Sequence, residues 1–157
     1  MSELTHLDGS GNARMVDVSG KQVSVRSANA EAFVRCPRGV VELLRSGGVP
    51  KGDVLAVARI AGIAAAKRTP ELLPLAHVIG VHGAEVELEI GDDGVRIVAT
   101  VRTADRTGVE MEALTSASVA ALAVVDMVKG VDRSVEIEHV RLLAKDGGRS
   151  GSWRRGA

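Results

Sequence analysis

Between residues 81 and 104, aliphatic and charged residues alternate on either side of a Gly-Asp-Asp-Gly break. "VHGAEVELEI" and "VRIVATVRTA" each read as a strand with one apolar face, and the break between them reads as a hairpin turn. Alternation also marks "KQVSVRSANAEAFVRC", a predicted strand with Val23, Val25, Phe33 and Val34 in its apolar set, and a last strand, "SVEIEHVRLLAK". Elsewhere the period becomes helical. "PRGVVELLRSGG" predicts a short helix, with proline at its start and glycine at its end. "KGDVLAVARIAGIAAAKRT" predicts a longer one capped by Asp53, in which Ala61, Gly62 and Ala64 permit close backbone approach and Lys67 and Arg68 suit the negative end of the helix dipole. The strongest helical stretch is "TGVEMEALTSASVAALAVVDMVKGVD", where Thr107 and Glu110 form a T-x-x-E capping box.

The resulting order is β, α, α, β, β, α, β. With the first two helices taken as one crossover, this is the split βαβ pattern of a ferredoxin-like α+β fold, an antiparallel sheet packed by helices on one face. No repeat or linker interrupts it, so one domain is expected over 1–157. Its first 14 residues, rich in Gly, Ser, Asn and Asp, and a Gly-rich tail from 146 to 157 are expected to be mobile.

Composition narrows the function. A hydrophobic share of 45% and a charged share of 25% are those of a soluble globular protein. No uninterrupted apolar run reaches the roughly 18 residues of a membrane span, and the N-terminus lacks a signal peptide's basic start and apolar stretch, so a cytoplasmic protein without membrane contact is expected. The single cysteine, Cys36, has no internal disulfide partner, which agrees with a reducing compartment. Formal net charge is zero, there is no tyrosine, and Phe33 and Trp153 stand alone. A nucleic-acid surface needs a basic field or rings for bases to stack on, and this chain offers neither. A small-ligand protein or an assembly module remains.

The residues able to do chemistry are scattered. His77 follows Thr69 and Pro70, which read as the cap and first residue of a short turn, and Pro74, which stops that turn; the chain therefore reaches His77 outside a helix. Glu110 and Glu112 are two apart on a helix and point about 200° from each other, so they form no acid/base dyad. The capping box accounts for Glu110, and a solvated face for Glu112. Asp126 and Lys129 share a helix face, which a surface i,i+3 pair explains. Lys51 sits ahead of the Asp53 cap, beside amide groups that gather anions. The tail "KDGGRSG" has the composition of a phosphate-cradling loop but not its spacing. No Cys or His cluster has metal-ligand spacing, and neither GxSxG nor GxGxxG occurs, so no metal or cofactor is expected.

The strings "MVDVS", "KGDV", "ARIAGIAAAKRT", "LLPLAH", "TGVEMEALT", "SVAAL", "DMVK" and "RLLAKDGGRSG" carry a resemblance. In order and spacing the chain resembles the molybdenum cofactor biosynthesis protein C (MoaC) family, the cyclic pyranopterin monophosphate synthases, from about Leu4 to Ser152. The resemblance implies a ferredoxin-like subunit in a homohexamer, a trimer of dimers with active sites at subunit interfaces. It implies a phosphorus-oxygen lyase that converts cyclised dihydro-GTP into cyclic pyranopterin monophosphate and diphosphate, with possible transient contact to the upstream radical enzyme. It also implies Asp126, Lys129 and Lys51 as catalytic residues and Leu75, Ala76, His77, Met111 and Glu112 as substrate contacts. Ring opening and closure need protons moved on nitrogens, and diphosphate departure needs cations; Lys51, Lys67, Arg68, Arg106, Lys145 and Arg149 are candidates for the latter.

The chain departs from the family at three places: Leu75-Ala76-His77-Val78 stands where LCHP is usual, Val125 replaces a usual tyrosine, and Gly130 follows Lys129. An active chain without that cysteine excludes it as an indispensable nucleophile. The alternative is a low-activity paralogue acting as a nucleotide- or pterin-binding module.

Overall fold

The computed structural model describes residues 5–156. The chain runs β1 (Ser24–Arg35), α1 (Arg38–Ser46), α2 (Val54–Ala66), α3 (Thr69–Leu72), β2 (Gly83–Ile90), β3 (Gly94–Asp105), α4 (Glu110–Val128), β4 (Glu136–Asp146) and β5 (Trp153–Arg154). The sheet order is β2-β3-β1-β4-β5 and every neighbouring pair is antiparallel. β1 and β2 therefore run parallel with β3 between them, the split βαβ arrangement expected from the element order.

The core lies between one sheet face and the helices. On β1 the buried positions are Ala28, Ala30, Ala32 and Val34, opposite Val101, Ala99, Ile97 and Val95 of β3. This corrects the expected apolar set: Val23 and Val25 are exposed, Val25 by 76%, and Phe33 points to the other face with them. Branched side chains outweighed alanine in the sequence reading, yet alanine is what lets a helix approach the sheet closely. α4 answers with Ala113, Ala117, Ala120 and Ala121, all fully buried. The opposite face is polar. At its centre the buried Glu31 accepts hydrogen bonds from Arg96, His139 and Arg141. Burial alone would raise its carboxyl, but the bonds from His139 and Arg96 outweigh that and hold it below the usual range.

Local signals explain most boundaries. Pro37 precedes α1 and Gly47 ends it in the left-handed region at φ 71°, a conformation costly for residues with a Cβ. Asp53 caps α2 by accepting from the Ala56 amide at 3.0 Å. Two expected caps fail. Thr69 is already helical, and its hydroxyl donates back to Ala66 O at 3.1 Å instead of capping α3. The T-x-x-E box does not form either: α4 begins at Glu110, its N-cap is Val109, and no side chain caps it. Glu110 thus occupies the first helical position, two residues too early to reach back as a box requires. Part of the tail is also ordered into β5, with Arg155 N bonded to Leu143 O at 2.8 Å. At 19 residues α4 is long and apolar enough to span a bilayer by composition alone; here its apolar face packs on the sheet and on α2.

α2 crosses α4 at Gly62. A Cβ there would lie 3.0 Å from Ser116 O, 3.0 Å from Val86 Cγ2 and 3.2 Å from Ala120 Cβ. Gly62→Val should therefore destabilise the protein by about 2 kcal/mol or more, in the range of core overpacking. Urea unfolding measures this, and a midpoint unchanged from wild type would show that the helices separate freely.

Candidate active site

Two groups of candidate side chains form at opposite ends of α4. At its N-terminal end, the segment after α3 runs without regular structure across the helix start and brings Leu75, Ala76 and His77 beside Met111 and Glu112. Together with Thr107, Gly108 and Glu110 they line a cleft of about 340 Å³. The N-terminal arm closes one side of it through Val16, Val18 and Lys21, and the His77 ring is hydrogen-bonded through Nε2 to Val16 O. Glu110 folds back over Gly108, where a Cβ would meet its Oε2 at 2.2 Å.

Glu112 is not on a solvated face. It is 4% exposed, and burial pushes its carboxyl up to about 7; the Glu110 charge adds to the rise, while its own backbone hydrogen bond and His77 oppose it. A carboxyl held near neutrality can give or take a proton at physiological pH.

At the other end, the loop ahead of α2 brings in Lys51. Its Nζ donates to Asp126 O at 2.9 Å and lies 3.6 Å from Asp126 Oδ1, while Lys129 Nζ donates to the same Oδ1 at 2.7 Å. The Lys129 hydrogen bond first, then the charges of Lys129 and Lys51, hold the Asp126 carboxyl below the usual range. An i,i+3 surface pair accounts for Asp126 and Lys129 but not for Lys51, which arrives from 75 positions away. All three side chains are about half exposed, a setting in which ion pairs add little stability. Fourteen positions separate Glu112 from Asp126, about 21 Å along the axis, so one subunit does not unite the two groups.

Of the other cations, Lys67 and Arg68 are exposed at the end of α2, Arg106 lies beside Val16 and His77, Lys145 stands near the end of β4 and Arg149 in the loop after it. Cys36 belongs to neither group; it is buried after β1 and desolvation pushes its thiol to about 11. Among the described residues no cluster of three His, Cys, Asp or Glu is placed to hold a metal ion. Val16 and Lys21 were missed as lining residues, although "MVDVS" pointed to their segment. Glu110 was assigned to a cap that does not exist.

The MoaC family model matches residues 15–148, which include every residue of both groups. The chain belongs to the MoaC family. Relatives named cyclic pyranopterin monophosphate synthase support this MoaC assignment. One from Streptomyces griseus is 62% identical over 99% of this chain and 88% of its own length, and one from Streptomyces coelicolor is 62% identical over 97% and 89%. A more distant relative of that name, from Chloroflexus aggregans, is 52% identical over 99% of this chain and 95% of its own. Against the usual MoaC pattern, Val78 is 85% exposed, Val125 is half-buried, and nothing lies within 4 Å of where a Gly130 Cβ would sit. None of these positions, nor the half-buried Ala76, belongs to the fully buried core.

The raised Glu112 value has a measurable consequence. Because its folded value of about 7 lies above the ordinary 4.5, folding favours the protonated form. Stability is full at acid pH and falls as pH rises between those values. Glu112→Gln should remove that fall and be more stable than wild type at pH 8 by on the order of 2 to 3 kcal/mol. Urea unfolding at pH 5, 6, 7 and 8 checks this; parallel pH profiles for the two proteins would mean that Glu112 is ionised and solvated.

Proposed function

We propose that this chain is a cyclic pyranopterin monophosphate synthase of molybdenum cofactor biosynthesis, acting in the cytoplasm on cyclised dihydro-GTP and releasing diphosphate. The observation that carries the reading is the convergence of Lys51 on the Asp126–Lys129 pair, which stability does not explain. Asp126, Lys129 and Lys51 move protons on the substrate and supply positive charge; Glu112 and His77 hold the ring system, and Glu112, its carboxyl raised by burial to about 7, exchanges protons with it near neutral pH. Leu75, Ala76 and Met111 supply the apolar contacts. His77 acts as an imidazole with no neighbouring thiol, since position 76 is alanine.

The reading requires a second subunit. Met111, Thr115, Ser118, Leu122, Val125 and Lys129 recur every three or four residues along α4 as a stripe that the subunit leaves exposed or half-exposed. Antiparallel pairing of two copies of α4 about a two-fold axis near Ser118 sets position 111 opposite 126 and position 115 opposite 122. Glu112 of one subunit then approaches Asp126 of the other. The small side chain at the crossing allows the helices to come close. Three such dimers make the homohexamer implied by the resemblance.

Release of diphosphate from cyclised dihydro-GTP tests the activity directly. Wild type should turn over, and Asp126→Asn should lower kcat by about 100-fold or more with the fold intact. A protein that saturates with this compound yet releases nothing is a binding module. The interface is tested by mixing Glu112→Ala and Asp126→Asn proteins under subunit exchange. Random pairing makes about half the dimers hybrid, each with one intact site, so about a quarter of wild-type sites should return. No recovery despite demonstrated exchange would overturn the two-subunit site and leave Glu112 without a catalytic role.

A further inference from the structure

The chain has four histidines, and three of them have their rings tied down. His77 is bonded through Nε2 to Val16 O, His82 through Nδ1 to Gly80 O at 3.0 Å, and His139 through Nε2 to Glu31 Oε1 at 2.7 Å. The fourth, His6, lines the cleft of His77 and Glu112 together with Thr5. Among the described residues, neither nitrogen of the His6 ring makes a hydrogen bond.

His6 is carried by a hairpin in the segment expected to be a mobile arm. Leu7 bridges Ala13, Arg14 N donates to His6 O at 2.8 Å, and Asp8 N donates to Asn12 O at 2.9 Å. At the turn, Asp8 Oδ1 accepts from the amides of Ser10 and Asn12, each at 2.9 Å, and Gly11 adopts φ 82°. Arg14 Nε adds a bond to Thr5 O at 3.3 Å. All these bonds are internal to the hairpin. Every residue from 5 to 14 is exposed, so the element buries no apolar side chain in the subunit. Ordering a segment costs backbone entropy, and a lone two-stranded hairpin is marginal in water. Stability is therefore not what this hairpin supplies. It supplies position: it sets Thr5 and His6 at the cleft, and the chain that leaves it sets Val16 and Val18 there.

A neutral imidazole offers one N–H donor and one ring acceptor. His77 has one of its two ring nitrogens engaged by the arm, whereas His6 brings both to the same cleft. The polar edge of a guanine-type ring presents carbonyl and N–H groups side by side, and an imidazole can bond to either. We propose that His6 is a further ligand-contacting residue of this cleft, its imidazole held by the 6–14 hairpin against the polar edge of a guanine-derived ring seated beside His77 and Glu112. That the ligand is cyclised dihydro-GTP rests on the synthase reading; the contact of His6 with a guanine-type ring does not.

Magnetic resonance of the histidine Cε1–Hε1 groups in the full chain gives one signal per histidine, and GTP serves as a probe that carries the guanine ring. Titration with GTP at constant pH should shift the His6 and His77 signals and leave those of His82 and His139 in place. In turnover of cyclised dihydro-GTP, His6→Ala should raise KM about fivefold or more with kcat within about twofold, the pattern of a hydrogen bond lost equally from ground and transition states. Its unfolding midpoint should equal that of wild type, since His6 is exposed. Asp8→Ala, which loosens the turn without lining the cleft, should raise KM in the same direction. A His6 signal unmoved by GTP, or an unchanged KM in His6→Ala, overturns the proposal, and an unchanged KM in Asp8→Ala overturns the hairpin as the carrier of His6. A His6 signal that moves in a protein that never releases diphosphate from cyclised dihydro-GTP would keep the ligand contact and remove the synthase reading.

Discussion

The close contact of α4 with an alanine-lined sheet face is the constraint on which the rest of this structure depends. Ala28, Ala30 and Ala32 of β1 and Ala113, Ala117, Ala120 and Ala121 of α4 are fully buried or nearly so, and Gly62 of α2 meets the same helix where even a Cβ is crowded. Small residues on both sides shorten the distance between layers, and close packing resists rotation of the helix about its axis. A helix that cannot rotate holds Glu112 inward at one end and Asp126 outward at the other. The stripe between them stays exposed or half-exposed in the subunit.

That constraint also explains which parts of the fold were legible in the sequence. Period and order sufficed for the sheet, for α1 between Pro37 and Gly47, for the Asp53 cap and for the hairpin at 91–94. Val25 and Phe33 of β1 were assigned to the wrong face because branched and aromatic residues were weighted above alanine, whereas Val34, of the same expected set, does lie in the core. The capping box was misread because a four-residue motif fixes neither where the first helical turn starts nor what the Glu110 side chain does. Glu110 instead bends over Gly108 at the mouth of the cleft.

The site was legible only as separate residues. Periodicity placed Asp126 and Lys129 on one face, but no local pattern reports that Lys51 arrives from the loop before α2. Burial of Glu112 was equally invisible, since its neighbours Glu110 and Met111 are half-buried and exposed. The tail was discounted because it lacks P-loop spacing. Its glycines follow a different requirement, contact with Val25 and Arg26 of a distant strand, which depends on sheet order and not on spacing within the motif.

Departures from good folding chemistry in this chain concentrate where the ligand is expected. A carboxyl is buried beside a second carboxyl with no ion-pair partner at Glu112, two lysines crowd one exposed aspartate, and Lys21, Arg26 and Arg149 share a cleft that contains no acidic residue. Each arrangement is a poor choice for stability. The Glu31 cluster on the outer sheet face shows the contrast: there a buried carboxylate is surrounded by Arg96, His139 and Arg141. The same fold thus satisfies a buried charge when only structure is at stake. Glu112, buried without a counter-charge, and Arg26, held only by backbone carbonyls, are then features that the fold itself does not require.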